Sequence, residues 1–406
     1  MEGAADVRVK SVPSGAPRGA DCASLSVMSN RSAPTAFEFF AGGGLAGLGL
    51  AAGGRGFRTV FANDLCPAKA RGFAANHDVA PVVGDVWDLT PADLPGRPDL
   101  CWASSPCQDV SLAGARGGLE ARRSGAFWGF WRLMRGLDAE GRGPRVVVVE
   151  NVIGLLTSGD GADFAAVCTA MAEVGYRVGA LEMDAAHWLP QSRPRLFIVG
   201  VRGDGAPEGT GPDAVFHSAR LVAAQARLPG VAKDAWAWWR LPAPPRRNLD
   251  LEAVLQPDAA VDWFAPDETR RLLALLAPLH RARLDAAVAA GRRTVGAAFR
   301  RVRVERGEKI QRLELRFDGL AGCLRTPSGG SSRQYVVVCQ DGAVRARRLT
   351  GRECARLMGV GDDYVLPSSE SAALKLMGDA VAVPVVRALT EGLLSPALGR
   401  GAERAA

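Results

Sequence analysis

The chain has 406 residues, enough for two or three domains, and its 48% hydrophobic and 23% charged residues exclude wholesale disorder. No run of eighteen apolar residues predicts a transmembrane helix, and the N-terminus lacks the apolar stretch of a secretory signal, so a cytoplasmic protein is expected. The net charge of +7 is unevenly placed: residues 1–35 carry +1, 36–200 carry −2, 201–350 carry +9 and 351–406 carry −1, which suggests a polyanionic partner for the third block, nucleic acid first.

Residues 1–35 are rich in Ser, Gly, Ala and Pro without apolar periodicity and predict a flexible tail. Ala36–Phe40 then predicts a strand, a glycine-rich turn follows, and a helix is expected near Leu45–Ala52. Thr59–Ala62, closing at Asn63-Asp64, reads as a second strand, Pro81–Asp85 as a short third and Leu100–Ser104 as a fourth. Arg145–Asn151 has four consecutive valines, the mark of a strand buried on both faces, and Leu196–Val201 is another. Helix-length segments lie between, among them Phe127–Leu137 and Asp163–Val174. This alternation predicts an α/β fold, a doubly wound parallel sheet of Rossmann type. After Arg202 the pattern breaks. The tryptophans Trp236, Trp238 and Trp239 are expected to anchor a smaller mixed domain, and residues 297–317 alternate as exposed strands do. Thr350 and Glu353 form a capping box for a helix over 349–358, and residues 371–392 are apolar enough to rejoin the core.

Four clusters carry candidate chemistry. The turn Phe40–Gly47 contains GxGxxG, and Asp64 closes the next strand twenty residues after Gly44. This pattern suits a nucleoside cofactor, with the acid on the ribose and Asp85 near the base. It does not separate NAD from S-adenosylmethionine, and such a turn also serves tight packing alone. Ser104-Ser105-Pro106-Cys107-Gln108 follows the fourth strand, at the edge where open sheets bind ligands. A thiol there is a candidate nucleophile, although a lone cysteine is more often a buried apolar residue. Glu150-Asn151 closes the most buried strand; its acid is either solvated at the sheet edge or placed to contact a substrate nitrogen. Gln191-Ser192-Arg193-Pro194-Arg195 puts two arginines at i and i+2, pointing the same way, to clamp a phosphate or position an acid, or simply to be solvated. The eight cysteines and four histidines show no zinc-ligand spacing and no CxxC pair, so neither a metal nor a disulfide framework is expected.

The order FAGGG, ND, GD, PCQ, ENV, QSRPR, RRLTGRECARLMG, GDAV resembles the DNA (cytosine-5)-methyltransferase family of bacterial type. The resemblance covers 36–201 and 347–386, and between them lies a long segment where that family carries its target recognition domain. It implies a Rossmann-like catalytic domain over 36–202, a recognition domain over 203–360, a return to the catalytic domain over 361–395 and a C-terminal tail over 396–406. By position, Cys107 matches the nucleophile, Glu150 the acid that contacts the base, and Arg193 and Arg195 the supporting arginines. Phe40, Gly42, Gly43, Gly44, Asp64, Leu65, Asp85, Val86, Pro106 and Asp379 match contacts to S-adenosyl-L-methionine. Gln108, Ser111, Arg325, Thr326 and Arg333 are the expected DNA contacts, with Gly114, Gly117 and Gly118 lending freedom to the catalytic loop; Arg347 and Arg348 are expected to be structural. Implied too are double-stranded DNA as partner, base flipping and a bacterial cytoplasmic, nucleoid-associated monomer, acting either with a companion restriction endonuclease or alone. The motif GDAV departs from the family's GNAV: Asp379 replaces an amide with a charge. Other readings remain at this point: a tRNA-methylating relative, a catalytically weak DNA-binding relative, and an NAD-dependent oxidoreductase, which leaves PCQ, ENV and QSRPR unexplained.

Overall fold

A computed structural model of the chain describes residues 33–106, 125–305, 307–326 and 333–399. Residues 1–32 of the expected N-terminal tail, the loop with Cys107, Gln108, Ser111 and the glycines through Gly118, and the end of the expected C-terminal tail lie outside the described residues, while Thr35, the last residue of that expected N-terminal tail, already belongs to the first strand.

A seven-stranded sheet is built from β1 (Thr35–Phe39), β2 (Arg58–Asp64), β3 (Val82–Val83), β4 (Leu100–Ala103), β5 (Val146–Asn151), β6 (Arg177–Asp184) and β7 (Pro194–Val201). Their spatial order is β3-β2-β1-β4-β5-β7-β6. β1 to β5 run parallel, but β7 is antiparallel to both of its neighbours. The doubly wound, Rossmann-like sheet expected from the sequence is present, with β7 reversed within it. The physical reason is the connection: only the short segment 185–193 joins β6 to β7, too short for the crossover that a parallel neighbour needs. β6 itself has no counterpart among the expected strands. Its sequence, RVGALEMD, places Gly179 and Ala180 at its centre, where a strand signal would be strongest.

Helices cover both faces. α1 (Leu45–Ala52) packs on one face, while α2 (Pro67–Ala74) follows β2. α3 (Ala126–Ala139) and α4 (Ala162–Glu173) pack on the other face with Phe37, Phe39, Val147, Val149 and Ile198. All six residues of β5 are buried, as its valines require. The tryptophans expected in a smaller domain pack on this sheet instead. Trp236 meets Phe164 of α4, and Trp239, in the short strand β9 (Trp238–Trp239) that pairs with β8 (Glu208–Gly209), donates its indole N–H to the Val199 carbonyl at 2.9 Å. A buried indole that finds a carbonyl is stabilised wherever the carbonyl lies, and here it lies on β7.

A second, antiparallel sheet has the order β11-β10-β12-β13, from β10 (Thr294–Glu305), β11 (Glu308–Arg316), β12 (Gln334–Gln340) and β13 (Ala343–Arg348). One face, with Ala298, Leu313, Tyr335 and Val337, is covered by α5 (Pro266–Leu273) and α6 (Pro278–Ala289). Val336 and Val338 on the other face join the core of the large sheet. α7 (Gly351–Leu357) begins at the predicted capping box of Thr350 and Glu353. α8 (Glu370–Asp379) and α9 (Val383–Leu389) return to the large sheet, α9 lying against α1. Among the described residues no helix is long and apolar enough to cross a membrane.

Candidate active site

The C-terminal edge of the parallel strands opens into a cavity of about 500 Å³. Four strand ends supply its floor: Phe40 after β1, Asp64 of β2, Ser104 to Pro106 after β4, and Glu150 to Val152 at the end of β5. The reversed β7 explains why Arg193 and Arg195 join them. In a parallel strand a segment preceding the strand lies at the opposite edge; the antiparallel register, with Glu150 opposite Phe197, brings the start of β7 beside the end of β5.

The glycine turn forms one wall. Phe40 has φ 56° and Gly42 φ 57°, the left-handed conformation that a reversal directly after a strand demands. Asp64 holds this turn: Oδ2 accepts the Gly42 N–H and Oδ1 the Cys66 N–H, each at 2.8 Å. Each oxygen keeps a lone pair for a further donor. Nothing stands within 4 Å of the position a side chain on Gly42 would take, so the space over the turn is open to a ligand. Below it, the buried Glu38 accepts the Gly47 N–H at 2.9 Å and the Thr59 hydroxyl at 2.5 Å. Burial pushes its carboxyl up to about 7, against the lowering effect of those two bonds. A Cβ on Gly47 would collide with Glu38 Oε1, so this glycine is required by the carboxyl beneath it.

The two arginines part company. Arg195 Nε lies 3.2 Å from Glu150 Oε1, and both are largely buried. Arg193 turns into the core, where it donates to the Leu324 carbonyl at 2.7 Å, to the Gly378 carbonyl at 3.0 Å and to the Ala380 carbonyl. Burial, then the charge of Arg195, pulls Arg193 down to about 10. The expectation that both point the same way is therefore met only in that both line the cavity: one positions an acid, the other knots three chain segments. Asn151 donates to the Ser105 carbonyl at 3.1 Å and fixes the end of β5 to the segment that leads to Cys107.

The remaining wall comes from the C-terminal segment, through Leu376, Gly378, Asp379, Ala380 and Val381. Asp379 is paired: Lys69 Nζ lies 2.6 Å from Oδ2, and the Thr326 hydroxyl donates to Oδ1. Lys69 was not among the residues singled out in the sequence, although a carboxylate at GDAV was itself a signal that a cation should stand nearby. Trp102 and Glu38 carry no motif signal, whereas Asn151, the end of the most buried strand, lines the cavity beside Glu150. Of the ten expected cofactor contacts, Phe40, Gly42, Asp64, Leu65, Pro106 and Asp379 line the cavity. Gly43 and Gly44 are buried under it against Tyr364 and His77, Asp85 is exposed with its carboxylate on the Trp87 N–H, and Val86 is buried in the core. Arg325 and Arg333 line a small separate cavity with Leu374, and Thr326 reaches the site only through Asp379.

An open nucleoside-sized cavity over a glycine turn, on a seven-stranded sheet with one reversed strand, defines a Rossmann-like methyltransferase fold. A solved methyltransferase, Dnmt2 of S. pombe, has the same fold: TM-score 0.56 at 16% identity, covering 90% of this chain and 99% of that one. The chain belongs to the C-5 cytosine-specific DNA methylase family, whose profile matches residues 35–230 and 301–395. The match resumes well before Arg347, earlier than the motifs alone indicated. Among curated relatives, the type II methyltransferase M.MspI of Moraxella sp is 25% identical over 337 residues, spanning 83% of this chain and 65% of that protein. The type II methyltransferase M.HhaI of Haemophilus parahaemolyticus is 25% identical over 345 residues, spanning 85% of this chain and 90% of that one.

Proposed function

We propose that this protein transfers a methyl group from S-adenosylmethionine to C5 of cytosine in double-stranded DNA, through a Cys107 adduct at C6 of a base turned out of the duplex. The observation that carries this reading is the meeting, in one cavity, of the Asp64-held glycine turn with the Glu150–Arg195 pair. The cavity suits S-adenosylmethionine: apolar side chains of Phe40 and Leu65 for the base, Asp64 with free lone pairs for the ribose hydroxyls, and open space over Gly42. Bound there, the cofactor supplies an electrophilic methyl group on a sulfonium.

The chain's own residues do the rest. Cytosine C5 is a poor nucleophile while the ring is aromatic. Addition of the Cys107 thiolate to C6 breaks that aromaticity and makes C5 nucleophilic. Glu150, held by Arg195, accepts from the exocyclic amine and passes a proton from its carboxyl to N3 as the thiolate adds, so negative charge does not build up on the ring. Once C5 is substituted, its proton passes to solvent water, the thiolate leaves C6, and N3 returns its proton to Glu150, which restores the ring and frees Cys107. A base stacked in a duplex does not reach such a cavity, so the reaction requires base flipping. The second sheet with α5 and α6, inside the interval 203–360, serves as the recognition side. Arg325, Thr326 and Arg333, with Gln108 and Ser111, are its proposed DNA contacts.

The test is incubation with tritiated S-adenosylmethionine and either mixed duplex DNA or tRNA. Incorporation into DNA that disappears in Cys107→Ala is expected. Labelling of tRNA alone would reverse the substrate, and full activity of Cys107→Ala would remove the nucleophile from the mechanism.

A further inference from the structure

Asp379 is the last residue of α8, where the helix dipole already places negative charge, so a lone carboxylate there is unfavourable. It is nevertheless tied at both oxygens, by Lys69 of α2 at 2.6 Å and by the Thr326 hydroxyl. Its side chain is 39% exposed and that of Lys69 27%, and both line the cavity of the glycine turn. The ammonium is held above the usual lysine range: burial opposes this, but the Asp379 hydrogen bond and charge outweigh it, and Asp64 and Cys66 add to them. Gly378, next to Asp379, sets the spacing. A Cβ there would lie 2.5 Å from the backbone of Arg325 and Thr326, so the glycine lets the two segments touch and Thr326 reach the carboxylate.

On the S-adenosylmethionine reading given above, we propose that Lys69 and Asp379 form one positioning pair at the cofactor's methionine end. The lysine cancels the aspartate's charge, so the cavity wall presents a fixed carboxylate without its full pull on the sulfonium. The charges of this wall can be counted. Asp64 and Asp379 against Lys69 give −1 in the natural protein. Lys69→Met makes it −2, Asp379→Asn makes it 0, and the double variant returns it to −1. Glu150, Arg193 and Arg195 stand in the same cavity and are the same in all four proteins.

The readout follows from two ligands that differ in one charge. S-adenosylmethionine carries a sulfonium where S-adenosylhomocysteine has a neutral thioether; adenosine, carboxylate and ammonium are common to both. The ratio of their dissociation constants, homocysteine form over methionine form, is measured by calorimetry for the four full-length proteins. It is expected to rise about three- to ten-fold in Lys69→Met, fall by a similar factor in Asp379→Asn, and return to the natural value in the double variant. A variant that loses some fold weakens both ligands and leaves the ratio alone, so instability does not imitate the effect. A ratio that is constant across the four proteins, or a double variant that fails to restore it, overturns the pair. So does an Asp379→Asn protein that binds S-adenosylmethionine more tightly than the natural one. If the natural protein binds neither ligand, the cofactor reading itself falls instead.

Discussion

Two glutamates in the parallel part of the large sheet have opposite surroundings. Glu150 has a guanidinium 3.2 Å away at the cavity; Glu38 has a hydroxyl and an amide, and burial pushes it up to about 7 from an ordinary 4.5. Between those two values the folded chain holds a proton that the unfolded chain has released. Stability therefore falls as pH rises through that window, by roughly 3 kcal/mol at most. Glu38→Gln keeps an acceptor for Gly47, offers an N–H to the Thr59 oxygen in place of the bond Glu38 accepts from that hydroxyl, and has no proton to lose, so its urea midpoint is expected to stay level between pH 5 and 8 while that of the natural protein declines. An equal decline in both would place the titration elsewhere. Arg195→Met removes the partner of Glu150 without touching the glycine turn. The methyl-transfer rate in single turnover is expected to drop about 100-fold or more while S-adenosylmethionine affinity stays within about two-fold. A large loss of affinity instead would show that Arg195 serves the cofactor.

At the scale of elements, α7 shows how a local signal and a distant one combine. The capping box was legible in the sequence because Thr350 and Glu353 are three residues apart. What was not legible is that Glu353 is fully buried and accepts two bonds from the buried Arg347 at 2.7 Å each, besides the Thr350 and Gln256 amides. Thr350→Ala is expected to cost about 1 kcal/mol, the loss of one cap bond. Arg347→Met leaves a buried carboxylate without its cation and is expected to cost about 3–5 kcal/mol by urea denaturation. Similar small losses for both would show that the pair is solvated. The same contrast runs through the sheet. The valine run of β5 and the glycine turn before α1 announce themselves through local chemistry, and their bounds agree with the structure closely. The direction of β7 does not, because it depends on how short the β6–β7 connection is, and β6 was unseen. The candidate site shows it again: the motifs placed Glu150 and the arginines in one neighbourhood. The division of labour between Arg193 and Arg195, and the arrival of Lys69 beside Asp379, depend on segments far apart in sequence.

For the molecule as a whole, the charge block in residues 201–350 looks different once the side chains are in place. Arg303 pairs with Glu314, Arg312 with Glu305, Arg316 with Asp318, and Arg293 and Arg345 with Asp258. Much of the cationic character of the second sheet is thus neutralised within the sheet, and a count of arginines overstates what remains for phosphates. Arg325 and Arg333, by contrast, have no ion-pair partner among the described residues, and the Arg325 backbone packs against Gly378 of the cavity wall. The consequence is measurable in the salt dependence of duplex binding, because each phosphate neutralised adds about one to the slope of log affinity against log salt. Arg325→Ala and Arg333→Ala are each expected to lower that slope by about one. Arg303→Ala is expected to leave it unchanged, because only an internal pair is lost and Glu314 turns to Arg301, 3.8 Å away. A slope that falls equally for all three variants would mean that DNA draws Arg303 out of its ion pair, and that the whole outer face of the hairpin β10–β11 grips the duplex.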